Sequence, residues 1–235
     1  MKEDGYYSMG RTELLPLIPE TAKRVLDVGC GEGILGEQIL HRGAEEVVGI
    51  EKVPSAARRA SKRLSHIIEG DIENLVSRLE RGAFDAVVCA DVLEHLIDPW
   101  GVLQQLTRCL SQNGYLIASI PNARYLALID HLINGHWTYQ ASGLLDRTHL
   151  RFFTLSEIKE MFSKAGLSIT DLHVNPGILY HRFKDQPDKR DIRFGRLHIQ
   201  GLTRQEFGEF FVFQYLVQAQ INRQKPSDFG TAQFA

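Results

Sequence analysis

With 235 residues the chain is long enough to bury a sizeable core, and one domain with a covering insertion is expected rather than two. Its 27 Lys and Arg against 29 Asp and Glu leave a formal net charge of −2, which supplies no positive field to gather nucleic acid and points to a small or uncharged partner. Cys30, Cys89 and Cys109 are odd in number and lack metal-type spacing, and no apolar run approaches the roughly 18 residues of a spanning helix. The chain therefore reads as soluble, unexported and cytoplasmic, with reduced thiols packed as small hydrophobes and no membrane partner.

The first residues, MKEDGYYSMGR, are polar and mixed in charge, and residues 1–22 are placed before the first strand as an N-terminal lid helix carrying Tyr6, Tyr7 and Arg11. Five apolar β-type runs follow, at residues 23–29, 46–51, 66–70, 84–90 and 114–121. Between them the spacing is helical: Pro54 suits a first turn ahead of SAARRASKRL, and Leu103, Leu106 and Leu110 mark one buried stripe. Thr154 and Glu157 read as a capping box, with Ile158, Met161, Phe162 and Ala165 on one face and a stop at Gly166.

Two further strands are expected at residues 168–174 and 210–219, separated by a polar excursion over 176–207 that reads as a solvated loop. Residues 222–235 form a polar tail. Apolar strands alternating with helices imply a doubly wound α/β fold: a mostly parallel, seven-stranded Rossmann-like sheet over residues 23–221. A small cap would come from residues about 122–150 and 176–207.

The stretch VLDVGCGEG (residues 25–33) runs from a buried strand into a glycine-rich turn. Gly29, Gly31 and Gly33 permit left-handed angles and contact between a ligand and the main chain at Cys30 and its neighbours. A dinucleotide fingerprint needs its third glycine one residue later, where Ile34 stands. Asp27 would repel a pyrophosphate and attract the cationic amino acid head of S-adenosylmethionine. Glu51, with Lys52 beside it, suits the two ribose hydroxyls of a nucleoside or a solvated strand end equally well. Asp71 suits the adenine amino group with Ile72 on the ring, or a helix N-cap.

VLDVGCGEG, VVGIE, EGDIE and FDAVVCADVLEHL, in this order across residues 23–175, resemble the motifs of class I S-adenosylmethionine-dependent methyltransferases. That resemblance implies that Asp27, Gly29, Gly31 and Gly33 surround the methionine part, Glu51 the ribose and Asp71 the adenine. It also sets Asp91 beside the sulfonium, with Tyr7 and Arg11 on a lid that closes over the cofactor. The segment GLLDRTHLRFFT (residues 143–154) resembles one in bacterial small-molecule and sugar-type methyltransferases, which implies a hydroxyl or amine on a small molecule as acceptor.

His149 in that segment is the candidate general base, or a structural histidine before Thr154. Tyr125, His136, Trp137 and Tyr139 either wall an acceptor pocket or cover the sheet. Asp91, Glu94 and His95 fall at helical spacing, and with His149 they resemble the metal site of small-RNA 2′-O-methyltransferases. Glu94, His95 and His149 are thus an alternative cation site, without the basic surroundings that RNA needs. A nicotinamide oxidoreductase and a non-catalytic cofactor-binding module are the competing readings. Nothing in the sequence specifies an oligomeric state.

Overall fold

The computed structural model describes residues 10–183 and 189–222, so Tyr6, Tyr7 and most of the polar tail lie outside the described residues. A short 3-10 helix (Thr12–Leu17) leads into β1 (Arg24–Val28), α1 (Ile34–His41), β2 (Glu46–Glu51), α2 (Pro54–Ala60), β3 (His66–Glu69) and α3 (Ile72–Leu75). Then come β4 (Phe84–Ala90), α4 (Pro99–Thr107), β5 (Leu110–Pro121), α5 (Leu126–Ile133), α6 (Leu155–Lys164) and β6 (Leu167–Pro176). The described chain closes with α7 (Tyr180–Phe183), β7 (Ile192–Phe194), β8 (Leu197–Ile199), α8 (Arg204–Glu209) and β9 (Val212–Ile221).

Seven strands form one sheet in the order β3-β2-β1-β4-β5-β9-β6, and only β9 runs antiparallel to its neighbours. This is the Rossmann-like methyltransferase fold expected from the sequence. Alternation along the central strands divides the core between the two faces. Val25, Ala86 and Val88 meet Leu35, Ile39 and the 3-10 helix's Leu14 and Leu17 on one side. Leu26, Val28, Val87 and Cys89 meet Leu103, Leu106, Ile158 and Phe162 on the other. Full burial of each such side chain contributes roughly 1.5–3 kcal/mol, enough in sum to hold helices on both faces. Strand order reverses between β1 and β4, which opens a crevice at their carboxyl ends.

Local expectations needed several corrections. The stripe through Leu110 breaks: α4 stops at Thr107, Leu110 opens β5, and Phe84 and Ala83 N–H groups bond the Cys109 carbonyl beside it. The last strand begins two residues later than the apolar run, at Val212. Thr154 caps α6 without a side-chain bond to the backbone, although its hydroxyl meets Glu157, so the expected box is incomplete. A complete capping box stands instead at Thr203 and Glu206, ahead of α8. Within residues 10–22 the structure has a 3-10 helix packed against α1, β5 and β9, and Arg11 just ahead of it reaches Asp91; the remainder of the expected lid, residues 1–9, lies outside the described residues.

The polar stretch 176–207 is not one solvated loop. It folds into α7, the β7–β8 hairpin and α8, and sends Leu179, Ile192, Leu197, Leu202 and Phe207 into a third cluster with Tyr125, Leu126, Leu128 and Leu145. Asn122, fully buried, ties this layer to the sheet by donating from Nδ2 to the carbonyls of Glu209 and Val212, both at 2.8 Å. No described helix is long and apolar enough to cross a membrane.

Candidate functional site

A cavity of about 520 Å³ lies at the carboxyl ends of β1, β2 and β4. Its floor is the glycine turn: Gly29 and Gly31 line it with φ of 67° and 56°. A Cβ at Gly29 would also stand 2.9 Å from Val92 Cγ2, so conformation and space both require glycine there. The Gly29 and Cys30 N–H groups bond the Ile50 carbonyl, stitching the turn to β2. Cys30 borders the cavity, but its side chain belongs to the core, where burial raises the thiol pKa. Gly33 stands off the cavity wall and serves as the left-handed N-cap of α1.

Asp27 lines the cavity at 1 % exposure, and its Oδ2 has no hydrogen-bond partner among the described residues. Burial, reinforced by the nearby Glu51 charge, pushes its pKa up to about 7. Glu51 accepts from Gly31 N–H at 2.9 Å through Oε2 and from Val53 N–H at 2.7 Å through Oε1. Burial raises its pKa against those bonds and against the charge of Lys52. Asp71 is an N-cap, its Oδ1 accepting from Glu73 N–H at 3.0 Å at the start of α3, and Asp71 and Ile72 both line the cavity.

Asp91 sits just past β4 with φ of 53°, an uncommon conformation for a side-chain-bearing residue and one often found at functional sites. It is held from three sides. Its N–H donates to Ser119 Oγ at 2.9 Å, the Ser119 hydroxyl donates to Oδ1 at 2.6 Å, and Gln214 Nε2 also donates to Oδ1. Arg11 closes an ion pair on Oδ2. Burial pushes the Asp91 pKa up, while Arg11 and Ser119 oppose the shift. This arrangement parts Asp91 from Glu94 and His95, which occupy a separate 3-10 turn at Leu93–His95 rather than sharing one helical face with it.

The opposite wall comes from residues 140–148. A closed loop forms there as Gln140 N–H bonds the Leu145 carbonyl and Arg147 N–H returns to the Gln140 carbonyl. Ala141, Arg147 and Thr148 of this loop line the cavity with His95. The Thr148 hydroxyl donates to Asp146 Oδ1 at 2.7 Å, so toward His95 Nδ1, 3.1 Å away, it is an acceptor. The Thr148 carbonyl, 3.0 Å from the same nitrogen, is another. These contacts place a proton on Nδ1 of His95.

His149 is 8 % exposed and off the cavity wall, with Nδ1 donating to the Leu144 carbonyl at 3.0 Å and its ring centroid 4.7 Å from that of His95. Glu94, His95 and His149 each offer a ligand atom, and these atoms lie within 4.8 Å of one another. The aromatic group divides: Tyr125 is core, Trp137 and Tyr139 are exposed, and Trp137 packs on Phe152 at 5.3 Å.

Ser119, Gln214, Arg147 and Thr148 are site residues that sequence reasoning missed. Gln214 carried a usable signal, a polar residue inside the apolar run FFVFQYLVQA. Arg147 and Thr148 carried none beyond their segment.

The model of a methyltransferase domain matches residues 2–172. A ubiquinone biosynthesis O-methyltransferase from Psychrobacter arcticus is 32% identical over an alignment of 170 residues that covers 66% of this chain and 63% of that protein. The chain thus spans a little under two thirds of that relative's length. Similar solved structures include a SAM-dependent methyltransferase from Archaeoglobus fulgidus, with TM-score 0.61, 16% identity and coverage of 89% of this chain and 90% of the other. Magnesium protoporphyrin IX methyltransferase from Synechocystis, solved with bound SAH, gives TM-score 0.58 at 16% identity, covering 92% and 83%. At these identities the structural likeness speaks to the fold.

Proposed function

Because the chain belongs to the methyltransferase-domain family, we propose that it transfers the methyl group of S-adenosylmethionine to a hydroxyl of a small molecule. The observation that carries this reading is Asp27: a buried carboxylate oxygen without a partner among the described residues, on a cavity floored by glycine backbone. A cationic ammonium group satisfies it, whereas a pyrophosphate would be repelled. In this reading Glu51, already oriented by Gly31 and Val53, accepts from the ribose hydroxyls, and Asp71 and Ile72 receive the adenine. Arg11 serves the methionine carboxylate and Asp91 borders the sulfonium.

The bound cofactor supplies an electrophilic methyl carbon, which leaves the chain to orient the acceptor and take its proton. The proton-accepting unit is the His95 and His149 pair: His95 faces the cavity with Nε2 as acceptor, and His149 stands behind it. The acceptor oxygen forms the new bond to carbon, the carbon–sulfur bond breaks, and the hydroxyl proton passes to His95. The relatives' printed name favours oxygen over nitrogen as the methylated atom, and the likeness of residues 143–154 to sugar-type enzymes extends the acceptors to sugars and secondary metabolites. Three buried free thiols accord with a reducing, cytoplasmic setting.

A second reading is favoured by the convergence of Glu94, His95 and His149. One carboxylate and two imidazoles suit a divalent cation, which would be held by these three residues and lower the pKa of the acceptor hydroxyl. Titration calorimetry tests the main reading: S-adenosylhomocysteine binds, and NAD does not. NAD binding without S-adenosylhomocysteine binding would overturn it. Chelation separates the two proton routes. Activity that survives EDTA and falls in His95→Ala supports the base, whereas activity lost to EDTA and restored by a divalent salt supports the cation.

A further inference from the structure

The cavity carries more cationic character than the cofactor uses. Its acids, Asp27 and Glu51 in β1 and β2 and Asp71 and Asp91 just past β3 and β4, all stand at the carboxyl ends of the strands, in the half read as the cofactor's. Arg11 pairs with Asp91 and is the group proposed for the methionine carboxylate, and Lys52 lies beside Glu51, whose pKa it pulls down. Arg147, on the opposite wall, is different: among the described residues its guanidinium has neither an ion-pair nor a hydrogen-bond partner. The adjacent acid does not neutralise it, because Asp146 is buried at 1 % exposure and its Oδ1 accepts from the Thr148 N–H and hydroxyl. The backbone that presents Arg147 is fixed by its own N–H bond to the Gln140 carbonyl at 3.0 Å. The next residue, Thr148, holds the His95 ring.

We propose that Arg147 selects an anionic acceptor: a hydroxylated small molecule whose carboxylate or phosphate is gripped by this guanidinium while the hydroxyl lies at His95. The proposal rests on the methyltransferase reading and names the substrate class of the same site. A planar guanidinium presents paired N–H donors that match two oxygens of a carboxylate or phosphate. A cationic acceptor would meet the same charge as repulsion, so the residue discriminates as well as binds. Its placement one residue from the His95 contact couples the grip on the anion to the place where the proton is taken.

The test uses the full chain saturated with S-adenosylhomocysteine, and three matched probe pairs: caffeate and caffeamide, glucuronate and glucuronamide, glycerol phosphate and glycerol. Calorimetry measures binding, and S-adenosylhomocysteine release in the presence of the methyl donor measures turnover. At least one anion is expected to exceed its neutral partner by about tenfold or more in affinity or kcat/KM, and Arg147→Gln to bring that ratio within about twofold of unity. Arg147→Lys keeps part of the preference, since it retains the charge without the paired donors.

Which pair responds distinguishes carboxylate from phosphate. The proposal is overturned if no anion exceeds its neutral partner, or if Arg147→Gln leaves the ratio intact. It is equally overturned if that variant weakens S-adenosylhomocysteine itself, which would make Arg147 a cofactor residue. Failure of S-adenosylhomocysteine to bind the unaltered protein would instead remove the methyltransferase reading.

Discussion

The two walls of the cavity are built in different ways. The wall proposed for the cofactor is sheet: β1, β2 and β4 deliver Asp27, Glu51 and Asp91 at the ends of buried parallel strands, and backbone bonds such as Gly31 N–H to Glu51 fix them. The wall proposed for the acceptor is irregular chain, residues 140–148, backed by a separate apolar cluster that joins Leu145 to Leu197 and Phe207. A sheet-built wall suits a ligand that never changes. A wall resting on its own small core can be altered without disturbing the sheet, which is where specificity is expected to reside.

Substitutions can break this division. Gly29→Val should have the largest effect, because it combines a Cβ 2.9 Å from Val92 with a φ of 67°. S-adenosylhomocysteine affinity is expected to fall by about a hundredfold or more in calorimetry. Leu103→Ala, in the sheet core, should cost about 2–5 kcal/mol in urea unfolding, with acceptor KM close to that of the parent. Leu197→Ala, in the cap cluster, should instead raise acceptor KM several-fold while S-adenosylhomocysteine Kd holds. Equal effects of Leu197→Ala on cofactor and acceptor would end the distinction between the walls.

The pH dependence belongs to the cofactor wall. Asp27 has a pKa of about 7, and a bound ammonium group prefers its ionised form. Cofactor affinity should therefore level off above pH 7 and fall by up to about tenfold per unit below it, a trend that Asp27→Asn flattens. Ligand-free stability runs the other way. The native state keeps a proton that the unfolded chain releases near pH 4, so this group's contribution to stability is largest below that value. It declines as pH rises toward 7. The smallest effect is at a helix cap. Thr203→Ala should lower Tm by about 2–4 °C, and Thr154→Ala by less, since only Thr203 bonds the backbone of its own helix.

The same division governs what the sequence could disclose. Strand-end acids and glycines were legible because buried parallel strands are continuous apolar runs, and because a turn with Gly29 and Gly31 at positive φ tolerates few other residues. The cap was not. Its buried residues Ile192, Leu197 and Phe207 come singly beside charged or ionisable neighbours, and Leu202 stands alone between Gly201 and Thr203, so neither helical nor strand periodicity shows. Leu110 kept the helical spacing of Leu103 and Leu106, yet pairing with Phe84 claimed it for the sheet. His149 was singled out by its residue type, while burial puts His95 rather than His149 on the wall, a difference that only tertiary packing decides.

The insertion of β9 between β5 and β6 has a further consequence, for the order in which the molecule is made. Of the described strands β9 leaves the ribosome last, yet it occupies an interior position in the sheet. Until it arrives, β5 and β6 each present an unpaired backbone edge, a template for self-association of nascent chains. Gln214 arrives with it and completes the ring of donors around Asp91. Closing the sheet and finishing the set of bonds that hold Asp91 at the cavity are thus one late event in synthesis, so a chain interrupted before residue 214 lacks both.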